Sequence, residues 1–145
     1  MSIVELSFVA LPAHVRTARQ VAVALARRSR IPDDVLDEVR LAVSEACGLV
    51  VSLQRQERPD DPVVLRFEDG AGFAVDVRAT APLESAKGAV ALKILTDAIL
   101  PTLDTAELPV GAALAVLAEL APRLEVTTSE QGVQLVLGWP PAGPV

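Results

Sequence analysis

One carboxylate raises a chemical question before any other residue does. Glu45 lies in the run Asp33 to Leu53, DDVLDEVRLAVSEACGLVVSL. Its apolar residues Val35, Leu36, Val39, Ala42, Val43, Ala46, Leu49, Val50 and Leu53 recur at helical spacing. Pro32 and the two aspartates after it mark the helix start. Glu45 comes one turn after Leu41 and one turn before Leu49, so the acid is predicted to sit within the buried stripe. A carboxylate there needs a partner or a task, so Glu45 is the first residue to explain.

Arginines form the second set. Ala13 to about Ser29 reads as a helix with Val15, Ala18, Val21, Ala22, Leu25 and Ala26 on one side. Arg16, Arg19, Gln20 and Arg27 share the other, with Arg30 just beyond. Arginine's planar fork pairs with carboxylates at interfaces, so this stripe is a candidate partner-binding surface; a merely solvated helix face is the plain alternative. The remaining reactive types carry less. Cys47 is flanked by apolar residues and reads as packing. His14 is the only histidine, which supports neither a metal site nor a Ser-His device. Ser44 points about 100° away from Glu45 on a helix and is no ready nucleophile.

The chain that must position these groups has 145 residues, enough for one domain with a real core. Apolar residues make up 51% but aromatics only 3%, so that core is built from Val, Leu, Ala and Ile. A net charge of −6 argues against binding nucleic acid through bulk charge. One cysteine precludes an internal disulfide and fits a reducing compartment. The start, MSIVELSFVA, lacks the basic flank and apolar run of a signal peptide. No apolar run approaches the roughly 20 residues that span a bilayer. A soluble, cytoplasmic protein is expected.

Along the chain, Ile3 to Ala10 alternates as a strand, and Pro12 ends it before the arginine-bearing helix. Gln54 to Pro62 reads as a charged loop after the Glu45 helix. Val63 to Glu68 and Phe73 to Thr80 are strands joined by Asp69-Gly70-Ala71-Gly72. Glu68 to Gly72 also resembles a Gly-rich nucleotide motif, but its place between two alternating runs makes it a hairpin turn. Helices are predicted over Ser85 to Leu100 and Val110 to Leu120, and Arg123 to Thr128 pairs with Val133 to Trp139 in a closing hairpin. The order predicts a two-layer α/β sandwich: one mixed, mainly antiparallel sheet of about five strands with helices on one face. Residues 1–140 form the domain and 141–145 a loose tail.

The run Leu41-Ala42-Val43-Ser44-Glu45-Ala46-Cys47 resembles the signature of the anti-sigma-factor serine kinases of bacteria, which share a fold with gyrase, histidine kinases and MutL. The resemblance also takes in the first strand, the arginine-bearing helix, the Pro-Asp-Asp helix start and the Gly-x-x-Leu of Gly111 and Leu114. It implies that Glu45 stands where the family's glutamate assists phosphoryl transfer. The family's metal-holding asparagine, one turn later, falls on Leu49, and a frequent histidine falls on Leu53. The Asp-x-Gly-x-Gly motif that binds adenine falls on Ala79-Thr80-Ala81-Pro82-Leu83, without its aspartate or glycines. The Gly-rich phosphate lid looks replaced around Ala86 to Leu100.

Each replacement has a cost. Leucine offers no oxygen to a hard cation, and without Mg²⁺ the charge on a transferring phosphate is uncompensated. An adenine amino group left unpaired costs about 1–3 kcal/mol. Leu49, Ala79, Ala81 and Gly111 are thus expected to be degenerate nucleotide positions, with Glu45 a vestigial base and no cofactor or metal. The resemblance further implies that an arginine on this helix grips a sigma factor or a switch protein of STAS type, with Arg19 at the matching place; Arg16, Gln20 and Arg27 of the same face are expected to share that partner surface. Two alternatives stay open: an active serine kinase using Mg·ATP on an anti-anti-sigma partner, and a non-enzymatic homodimeric scaffold.

Overall fold

The computed structural model describes residues 2–81 and 109–141. Five strands and three helices follow one another as β1 (Ser2–Val9), α1 (Ala13–Arg28), α2 (Asp33–Glu57), β2 (Pro62–Gly70), β3 (Gly72–Ala79), α3 (Pro109–Leu120), β4 (Arg123–Ser129) and β5 (Gly132–Trp139). The strands make one sheet in the order β1-β2-β3-β5-β4. The sheet, expected to be mainly antiparallel, is antiparallel at all four pairings. The helix expected over 85–100 lies outside the described residues.

Strand alternation sorts the sheet into two faces. Leu6, Leu65, Val77, Leu135 and Val126 are register partners in one row across all five strands, and the middle three are fully buried. The neighbouring row, Glu5, Arg66, Asp76, Val136 and Glu125, faces outward with charges of both signs. Among the described residues, helices cover the first face only. α2 is the central element, packing on α1, α3, β2, β3 and β5.

Small side chains set the helix spacing. Ala18, Ala22 and Ala26 of α1 and Ala42, Val43 and Ala46 of α2 have no exposed surface, so the two helices approach closely. α2 carries Asp33 and Asp34 in its first turn, complementing the positive end of its dipole. It runs to Glu57, absorbing the first half of the expected charged loop. Gln, Arg and Glu are good helix formers, and nothing stops the helix until Arg58 and Pro59.

Both turns out of α1 and into β5 use left-handed backbone. α1 ends with Ile31 N–H donating to Ala26 O and Arg30 N–H to Arg27 O, each at 3.3 Å, a Schellman closure with Arg30 at φ 59°. Gly132 has φ 130°, and a Cβ there would fall 2.0 Å from the Ala79 carbonyl oxygen. At the far end, Trp139 Nε1–H donates to Leu120 O at 3.2 Å, fastening the end of α3 to the sheet.

Candidate functional site

α2 carries the acid on an open side. The buried stripe passes through Leu36, Val39, Val43, Ala46, Val50 and Gln54. Glu45 is exposed and Leu41 is 55% exposed, while Leu49 is partly buried. The expectation that Glu45 lies within a core stripe is therefore corrected. At 100° per residue, Leu41 and Glu45 point roughly opposite to Val39 and Val43, and it is the side through Val39 and Val43 that is buried. Ser44 Oγ is buried and has no hydrogen-bond partner among the described residues. Among the described residues, no three His, Cys, Asp or Glu side chains are grouped to hold a metal ion.

At the C-terminal end of α2 sits the residue that sequence reading missed. Gln54 is the one fully buried polar side chain among the described residues. Its Oε1 accepts the Ala81 N–H at 2.8 Å, and its Nε2 donates to Pro62 O and Thr80 Oγ1, both at 3.0 Å, with Asp61 O at 3.3 Å. Because a backbone N–H can only donate, the atom facing Ala81 must be the oxygen, which fixes the amide orientation. Thr80 Oγ1 in turn donates to Asp61 Oδ2 at 2.7 Å. Ala79 and Ala81 are buried on either side. Thus the end of β3, where the resemblance places the adenine motif, is clamped to α2 by the protein's own amide. Gln54 follows Val50 by one turn along the buried stripe, so a polar residue at a core position was the available signal.

The arginines come together elsewhere. Arg19, Gln20, Val23, Ala24 and Arg27 of α1 line an open hollow of about 220 Å³ together with Arg40 of α2. Arg16 is exposed and lies outside it. Arg40 donates to Asp37 at 3.1 Å, an exposed pair one turn apart. Arg40 was not singled out from sequence, because its place beside α1 depends on how the two helices pack. Gly111 falls in the first turn of α3, away from these groups in the chain.

The other candidates take structural places. Cys47 is buried, and burial pushes its thiol up to about 12, which keeps it from acting as a thiolate. His14 packs its ring 5.7 Å from that of Phe8. Glu68 to Gly72 forms a tight hairpin with Gly70 opposite Gly72, and Asp69 Oδ1 accepts the Ser2 N–H at 2.6 Å. This hairpin borders a hollow of about 520 Å³ shared with Arg123, Gly138 and Trp139.

A long helix flanked by two others on an antiparallel five-stranded sheet, with an acid on its open side, makes a two-layer α/β sandwich. The family model of the histidine kinase-like ATPase domain matches residues 8–139, and the chain belongs to that family. Comparison with curated proteins yields no match. No helix among the described residues is long and apolar enough to cross a membrane.

Proposed function

We propose that this chain is a regulatory protein-binding module that resembles an anti-sigma factor and has given up nucleotide chemistry. It captures a sigma factor or an STAS-type switch protein through α1 and its surroundings. Capture acts by occlusion, since a covered patch cannot engage RNA polymerase. Release then comes from a competing protein, because a nucleotide without differential contacts cannot shift the equilibrium.

The observation that carries this reading is the convergence of Arg19, Gln20, Arg27 and Arg40 on one hollow of an acidic chain. Loss of ATP is supported by the two ends of the family's nucleotide site. Leu49 stands at the metal-holding position with no oxygen to offer. At the base end, Ala79 supplies no carboxylate, and the Ala81 N–H and Thr80 hydroxyl are engaged by Gln54. These residues do not fit Mg·ATP.

The active serine kinase remains the second reading, and the exposure of Glu45 is the observation that favours it, since a general base must reach its substrate. Calorimetry with Mg·ATP separates the two: no heat of binding is expected, and micromolar binding would overturn the loss of nucleotide and favour the kinase. Capture from lysate of the native host, read by mass spectrometry, is expected to return a sigma factor or STAS protein. Arg19→Glu is expected to abolish that capture without changing the melting temperature, and undiminished capture would remove α1 from the interface.

A further inference from the structure

We infer that the hollow between α1 and α2 receives an acidic helical segment carrying two carboxylates seven or eight residues apart, with Arg40 a specificity-determining residue. This rests on the protein-binding reading and names the chemistry of the bound surface. Arg19 and Arg27 are eight residues apart on α1, which places them about 12 Å apart along its axis. A partner helix repeats that distance with acids two turns apart. Between the arginines the floor is apolar and small: Val23 is only 7% exposed, and Ala24 adds a methyl group. Arg40 supplies a cation from the second wall, and Gln20 a neutral donor and acceptor.

Size and charge both favour side chains over a small ligand. The hollow, about 220 Å³, is smaller than the roughly 300–1,000 Å³ of small-molecule sites. Nucleic acid and anionic membrane meet an overall charge of −6, so only a local acidic element matches the patch. The sheet arginines are committed differently: Arg66, Arg78 and Arg123 each pair with a carboxylate on their own strand. Arg19 and Arg27 have no ion-pair partner among the described residues, and neither do Arg16, Arg28, Arg30, Arg55 and Arg58. Convergence distinguishes the first two, since Arg16, Arg28, Arg30, Arg55 and Arg58 line no part of this hollow. Arg40 keeps an exposed partner in Asp37, a pair worth under about 1 kcal/mol that an incoming carboxylate readily exchanges.

The test follows the arginine Nε–H signals of the labelled full chain by NMR during titration with a synthetic helical peptide bearing two glutamates seven residues apart. Shifts are expected at Arg19, Arg27 and Arg40 and not at Arg66, Arg78 or Arg123. Exchanging both peptide glutamates for glutamine, or moving them to four residues apart, is expected to weaken the response about fivefold. Arg40→Gln is expected to do the same with an unchanged melting temperature. Absent shifts, an equal response to the glutamine peptide, or equal shifts with inorganic phosphate alone would overturn the inference. Capture of a partner from lysate, still lost in Arg19→Glu, would survive such a failure, whereas capture of no partner by the native chain would sink the broader reading itself.

Discussion

Gln54 concentrates more structural work than any other polar residue described. Its amide ties α2 to Asp61 and to Pro62 at the start of β2, and to Thr80 and Ala81 just past the end of β3. Gln54→Ala leaves the buried Ala81 N–H unpaired and opens a cavity, and is expected to cost about 1–3 kcal/mol for the orphaned donor alone. Urea unfolding measures it, and a loss below about 0.5 kcal/mol would show that water replaces the amide without penalty. Thr80→Val removes the shared hydroxyl, so the two substitutions should be non-additive in a double-mutant cycle. Glu45 teaches the opposite lesson. Its identity was legible in the sequence, but its surroundings were not, because helical periodicity reports that an apolar stripe exists and not which stripe meets the sheet.

At the scale of elements, α1 stops at a left-handed residue that is not glycine. Arg30 at φ 59° bears a steric cost that glycine escapes, while its N–H and that of Ile31 complete the closure. Arg30 lies outside the arginine hollow, so its side chain is dispensable for the proposed contact. Arg30→Gly is expected to raise stability by roughly 0.5–1 kcal/mol in chemical denaturation with peptide binding unchanged. A fall in stability would mean that the guanidinium or the stiffer unfolded chain matters more than the backbone strain. Element boundaries were legible wherever punctuation is strong: Pro12 and Pro32 before the helices, and the Gly-rich turn before β3. The end of α2 was not, because its last turn is held by helix propensity and by Gln54, and the latter's partners lie in distant segments.

The whole molecule couples its core to pH through Cys47. Its folded thiol is raised from 9.0 to about 12 by burial. Below pH 9 the thiol is protonated whether folded or unfolded, so its contribution is fully present and constant. Between pH 9 and about 12 the unfolded thiol ionises while the folded one does not, so stability falls as pH rises, by up to about 1.4 kcal/mol per unit. The stability difference between the native chain and Cys47→Ala is expected to be constant up to pH 8 and to shift with pH above 9, where only the native chain loses stability through this thiol. Parallel curves across this range would show that the thiol is accessible to solvent base. The general architecture was legible in the sequence because alternating and helical periods rarely coincide; the face-to-face arrangement of α1, α2 and Arg40 was not, since tertiary docking has no local signature.

The pairing of β1 with β2 has a kinetic corollary. Ser2 and Asp69 meet 67 residues apart, and both α1 and α2 lie inside the loop that their meeting closes. During synthesis the earliest strand therefore has no ladder to join until two complete helices and a further strand have emerged. Chain closure over that length delays its docking, so the helical pair, whose contacts are nearer in sequence, is the natural nucleus that forms before β1 pairs with β2.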